Sequence, residues 1–157
     1  GGTYLSQRTS LLAPAQSLAS DGEYALLASG EQGLRVLSLS PNTAPKLRTQ
    51  LSGNISQLLW HDDYAYLLDQ AGWLRIVDVQ DRENPLSVSR YPLAQLPDAM
   101  AVAQSYLYLT TGKQLTVLDI RQPQSPKKVA SYTLPTNATA LKVDNGYAYI
   151  GSQTGLQ

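Results

Sequence analysis

The amino-acid sequence predicts an all-β fold: a β-propeller of four-stranded antiparallel blades, about 40 residues per repeat, forming part of a larger ring. Three sets of residues predict it by recurring in phase. Tyrosine-led strands begin at Tyr24, Tyr64, Tyr106 and Tyr147, spaced by 40, 42 and 41 positions. Leucine-led strands begin at Leu34, Leu74, Leu115 and Leu156, spaced by 40, 41 and 41. The prolines Pro45, Pro85 and Pro126 keep the same step. Self-similarity at a fixed period of this size marks a repeat architecture, in which each unit needs its neighbours to bury its apolar faces.

The second unit is the clearest. Strand a runs from about Ser56 to Trp60, strand b from Tyr64 to Asp69, strand c from Leu74 to Val79 and strand d from Leu86 to Tyr91. Each is a short run rich in β-branched, aromatic and aliphatic residues, bounded by turn formers. The a–b turns are Ser20-Asp21-Gly22-Glu23, His61-Asp62-Asp63, Gln104-Ser105 and Asp144-Asn145-Gly146. Asp-Gly and Asn-Gly are hairpin signals because the turn needs positive φ. Strand c, Leu74-Arg75-Ile76-Val77-Asp78-Val79, is mainly apolar on both alternating faces, so it requires cover on both sides. Strand d carries Lys46 and Arg48, then Arg90, then Lys127 and Lys128, and is expected to start after a proline each time. Charge and a leading proline are how an exposed edge avoids pairing with another molecule. Strand d is therefore expected at the outer rim and strand a nearest the axis.

This periodicity lays out the sequence as one propeller segment. Residues 4–12 are expected to be the outer strand of a preceding blade, residues 17–52, 56–92 and 98–134 three blades, and residues 138–157 the start of a further one. Three assemblies fit: a piece of a longer propeller, a four-bladed ring completed by Tyr4 to Thr9, or two copies associating to complete an eight-bladed ring.

Composition narrows the partners. Twelve basic and twelve acidic residues cancel to a net charge of zero, which argues against nucleic acid held by clustered charge. Apolar runs are too short for a membrane span. Without cysteine there is no disulfide, thiol catalysis or thiolate metal site in these residues.

Tyr64-Ala65-Tyr66, Leu74-Arg75-Ile76-Val77-Asp78-Val79 and Asn84-Pro85 together resemble the LVIVD repeat. That pattern sets an aromatic strand before a Gly-Leu-hydrophobic strand, an aspartate corner and a proline-led outer strand. Leu115-Thr116-Val117-Leu118-Asp119-Ile120 with Ser125-Pro126 is similar. The first unit departs, with Ser38 in place of the aspartate, and the third has Gln114 where the glycine belongs. The resemblance implies a β-propeller, usually in bacterial or archaeal surface, periplasmic or secreted proteins, and no defined activity.

No catalytic, metal or cofactor constellation is predicted. His61, the single histidine, reads as a solvated turn residue beside Asp62 and Asp63. Asp78 and Asp119 recur one period apart and read as corner-forming side chains that accept from following amides. Off-repeat residues on the b–c and d–a loops, which share one face of a propeller, are the binding candidates. Trp73 interrupts the Gly-Leu pair and can anchor a partner. Gln95 and Asp98 lie on the irregular connection Ala94-Gln95-Leu96-Pro97-Asp98. The function expected is a non-catalytic binding or scaffolding module presenting a loop face to a protein or glycan partner, at the cell surface or in the periplasm. The alternative is an enzyme or small-ligand propeller with its site at the channel mouth, built partly by other blades.

Overall fold

A computed structural model of the protein describes residues 16–152 and the backbone of 155–156. The outer strand expected over residues 4–12 lies outside them. Among the described residues every regular element is a β-strand, and no helix is long and apolar enough to cross a membrane. The protein divides into two compact units, Gly1–Pro92 and Leu93–Gln157.

The first unit holds two four-stranded antiparallel sheets, each with its strands side by side in sequence order. One is β1 (Ser17–Ser20), β2 (Tyr24–Ala28), β3 (Leu34–Ser40) and β4 (Thr43–Leu51). The other is β5 (Ile55–His61), β6 (Tyr64–Asp69), β7 (Trp73–Asp78) and β8 (Leu86–Pro92). Period two puts Leu26, Ala28, Leu34 and Val36 on one face of the first sheet, where they form a single core with Ile55, Leu58, Ala65, Leu67, Val77 and Val79 of the second. Each fully buried leucine of this kind contributes roughly 1.5–3 kcal/mol. The opposite face of the first sheet is also apolar and buried, through Ala25, Leu27 and Leu37. Strand c is thus covered on both sides, as its composition requires.

The second unit contains a four-stranded sheet of β9 (Ala99–Ala103), β10 (Tyr106–Thr111), β11 (Gln114–Asp119) and β12 (Lys127–Thr133). Beside it stands a sheet of β13 (Ala138–Asp144), β14 (Tyr147–Ser152) and β15 (Gly155–Leu156). Leu115, Ala138 and Ile150 form the core between them, with Tyr108, Leu134 and Leu141 packed against it.

The repeat reaches into backbone detail. The c–d pairing slips register at Val36/Leu37, at Ile76/Val77 and at Val117/Leu118, a bulge at the same place in each of these sheets. The amides of Leu39, Val79 and Ile120 donate to the carbonyls of Glu23, Asp63 and Ser105, tying each strand c to its a–b turn. Three two-residue a–b turns begin with a left-handed residue: Asp62, Gln104 and Asn145, at φ 53°, 54° and 50°. One expectation fails. The edge strand of the first sheet starts at Thr43, ahead of Pro45. In that sheet β3 and β4 join through Pro41 and Asn42 alone, and a shift between Ser38 and Ser40 accommodates the proline within the strand.

Candidate functional site

The b–c turn of the second sheet meets the d–a connection leaving the first, and a groove of about 500 Å³ opens there within the first unit. The amide of Gln70 donates to the carbonyl of Asn54 at 2.8 Å and joins the two segments. On one wall Trp73 begins β7, paired with Asp69 on β6 and Pro92 on β8. It is a strand residue rather than a loop tip. Arg75 and Arg90 are direct cross-strand partners, so alternation brings Trp73, Arg75 and Arg90 to the same face. The Arg90 guanidinium lies 4.2 Å from the Trp73 ring centroid, a cation–π stack at a half-buried indole.

Arg75 builds the floor. Its Nη1 donates to the Ser52 carbonyl at 2.7 Å and to Asp69 Oδ2 at 3.4 Å, while Nη2 donates to Ser87 Oγ at 3.2 Å. The other Asp69 oxygen accepts the Ala71 amide at 3.0 Å. Gly53 sits at φ 146°, and a Cβ there would run into the guanidinium. Glycine thereby allows the connection to pass close over Arg75. The electrostatics of the two arginines differ. Arg75 is compensated by Asp69. Arg90 is exposed and, among the described residues, has no carboxylate within ion-pair distance.

A second polar cluster holds the c–d loop of the second sheet against the first. Arg82 Nε donates to Asp21 Oδ2 at 3.2 Å, its guanidinium lies 5.0 Å from the Trp60 ring, and its Nη1 donates to the carbonyls of Val79 and Gln80 at 2.8 and 3.0 Å. Tyr24 Oη donates to Glu83 at 3.1 Å, and Arg48 pairs with the same carboxylate. Burial pulls the Asp21 carboxyl upward, but the amides of Tyr24 and Glu23 and the Arg82 guanidinium outweigh it and hold it below its usual value. The bond to Glu83, chiefly, raises the Tyr24 phenol. These groups are consumed by one another, which marks the cluster as a structural clasp.

The remaining candidates fall elsewhere. Gln95 and Asp98 belong to the second unit, on the connection before β9, and both are exposed. Asp98 Oδ2 accepts the Gly112 amide at 2.8 Å and ties that connection to the b–c turn of its own sheet. Asp78 and Asp119 accept the amides two residues on, from Gln80 and Arg121, both at 2.9 Å, the corner role their recurrence suggests. His61 ends β5 with Nε2 3.5 Å from Asp62. No group of three or more His, Cys, Asp or Glu side chains among the described residues is placed to hold a metal. Sequence reasoning singled out Trp73 but read Arg90 as a rim charge and Arg75 as a repeat residue, and passed over Gly53. The one available signal was parity: Trp73 and Arg75 share a face of any strand.

The LVIVD repeat matches residues 52–92, 98–134 and 135–157. The first sheet, which has Ser38 where the others carry aspartate, falls outside the match. No curated protein matches the sequence significantly. Among solved structures, the computationally designed Ika4 protein is similar with a TM-score of 0.68 at 14% identity, over 91% of this protein and 88% of that one. Sqt1 of Saccharomyces cerevisiae gives 0.72 at 10% identity over 88% of this protein, and the N-terminal domain of Nup159 gives 0.57 at 16% over 86%. The match spans only 43% and 38% of those two. At such identities the likeness is one of fold.

Proposed function

We propose, for a protein that belongs to the LVIVD-repeat family and has its β-propeller fold, that it is a non-catalytic binding and scaffolding module working outside the cytoplasm, at the cell surface or in the periplasm. The compartment follows from what the family implies. The partner we favour is a protein rather than a glycan, and the first unit's groove is the contact surface. Gln95 and Asp98, both exposed in the second unit, are assigned the same kind of role there, since Asp98 keeps acceptor capacity beyond the one amide it holds.

The stacked Trp73–Arg90 pair carries this reading. An indole-supported guanidinium that has no carboxylate within ion-pair distance among the described residues is free to donate a bidentate pair of bonds to an aspartate, a glutamate or a terminal carboxylate. Tryptophan and arginine are also the residues most often found at the energetic centre of protein contacts. Glycan stacking usually needs a bare aromatic face, and Arg90 already occupies one face of Trp73. The floor beneath the pair is tied to three segments by Arg75, so little ordering cost is added on binding.

Selection of a displayed random-peptide library on the immobilised protein tests this. Enriched peptides are expected to share an acidic residue beside an apolar one, and to be lost on Arg90→Glu and on Trp73→Ala with the fold intact. Sequences without acidic residues, or retention by both variants, would discard the groove as the contact surface. Selective binding on a glycan array, removed by the same substitutions, would replace the protein partner with a glycan.

A further inference from the structure

The groove at Trp73 has no counterpart in the other sheets, and its distinctive residues fall at even spacing. On β7 and β8 three cross-strand steps share the groove face: Trp73 with Pro92, Arg75 with Arg90, and Val77 with Ser87. Arg90 and Ser87 are three positions apart, an odd separation that alternation alone would send to opposite faces. The bulge between Ile76 and Val77 absorbs one residue and returns Ser87 to the side of Arg90. At the middle step the first sheet pairs Arg35 with Gln50 and the third pairs Thr116 with Ser131. Of the three four-stranded sheets, only the second sets two arginines there with a tryptophan one step away.

The three steps differ in chemistry. Trp73 and Pro92 present apolar surface. Like charges directly opposite one another are unfavourable, and Asp69 compensates Arg75 alone, so the middle step lacks one negative charge. Ser87 lines the groove. Its Oγ accepts from Arg75 Nη2 at 3.2 Å and gives its own proton to no acceptor among the described residues, which leaves that proton for a ligand. Successive steps lie about 7 Å apart along the strands, the distance between alternate side chains of any extended chain. Spread over these steps, a groove of about 500 Å³ is roughly 6 Å wide and deep. That suits an extended chain and is too narrow for a helix about 10–12 Å across.

We infer that the groove takes an extended peptide segment in which every second residue faces it. An apolar side chain lies over Trp73 and Pro92, a carboxylate meets Arg90, and a hydrogen-bond acceptor meets Ser87. The apolar residue is the neighbour of the acid on the side turned to the groove, two positions from it in the partner's chain. This conformation and spacing rest on the groove being a contact surface for an acidic protein partner, as proposed.

Fluorescence polarisation with labelled, end-blocked heptapeptides on the full 157-residue protein tests the spacing. The in-phase probes are Ser-Leu-Thr-Asp-Thr-Asn-Ser and its reversal, which cover both chain directions along β8. Each has a shifted isomer in which leucine and its neighbouring threonine exchange places. One in-phase probe is expected to bind, and its isomer about tenfold or more weakly. Arg90→Glu should lose the in-phase probe yet bind a version with lysine for aspartate, which shows that the variant is folded. Ser87→Ala should weaken the in-phase probe several-fold and leave unchanged one with alanine for asparagine. In-phase and shifted probes that bind equally, and are both lost on Arg90→Glu, overturn the extended spacing while keeping the groove as an acidic contact surface. Equal effects of Ser87→Ala with and without the asparagine overturn the third step. No binding of any probe at about 1 mM discards the acidic partner and this segment with it.

Discussion

The Arg75 side chain on β7 donates to the Ser52 carbonyl at 2.7 Å, reaching from one sheet to the connection that leaves the other. The guanidinium occupies the space a Cβ on Gly53 would need. Gly53→Ala should therefore displace Arg75 and also strain a φ of 146°, costing about 1–3 kcal/mol. Arg75→Ala should cost a similar amount, since it strands Asp69. Urea denaturation of both single variants and the double gives the coupling. The double is expected to be less destabilised than the sum of the singles, because the two changes disturb one contact.

The contrast between covered and edge strands is measurable with two leucines. Leu74 on β7 is fully buried, while Leu86 on β8 is 64% exposed. Leu74→Ala should cost about 2–5 kcal/mol, and Leu86→Ala about 0.5 kcal/mol or less. Equal losses in thermal or chemical denaturation would contradict the double cover of strand c.

A stabilising change is available at the turn joining β9 and β10. Gln104 adopts φ 54°, a region unfavourable for an L-residue with a long side chain. The turn joining β13 and β14 solves the same problem with Asn145 and Gly146. Replacing Gln104-Ser105 by Asn-Gly should raise stability by about 1 kcal/mol, read as a higher denaturation midpoint with an unchanged slope.

Acid should weaken the fold through two aspartates. Asp21 is held low by the balance already described. The Arg121 side chain, then its amide, holds Asp119 below the usual value of 3.8. A folded-state pKa below the unfolded one means that the stabilisation is complete above about that value and fades as pH falls beneath it. The denaturation midpoint should drop below pH 4, and it should drop less steeply in Asp21→Asn and Asp119→Asn, which start out less stable at neutral pH.

Alkali acts through Tyr66, whose phenol burial pushes up to about 12, with Tyr64 and Asp62 adding to the effect. The sign is opposite: protonation is favoured in the folded state, so this stabilisation is whole below an ordinary tyrosine's value of 10.0 and is lost as pH climbs toward 12. Absorbance titration should show the Tyr66 phenol ionising late, and Tyr66→Phe should remove that step and flatten the alkaline loss.

The strands of the second sheet could be read almost to the residue, because alternation, turn chemistry and repeat phase are local properties carried by neighbouring positions. Tyr64 to Asp69 and the buried Leu34, Leu74 and Leu115 needed nothing else. Strand starts slipped by a single residue at Ile55, Trp73 and Gln114, and by more where a proline, Pro45, was absorbed by a bulge that depends on its partner strand. The groove was legible only in part. Trp73 stood out as a break in the repeat, but its stack depends on Arg90, which becomes its neighbour only when β8 pairs with β7 in one register.

The same holds for Gly53 and Arg75, 22 positions apart in the sequence and in contact only because two sheets share a core. Asp98 carried no mark to show that the Gly112 amide would donate to it. The order of residues thus determined the repeat, the strands and the faces each strand must bury, since these follow from covalent neighbours. Which polar groups satisfy one another, and which remain available to a partner, was decided by the packing of sheets, because hydrogen bonds and charge pairs act across a few ångströms of space regardless of separation in sequence.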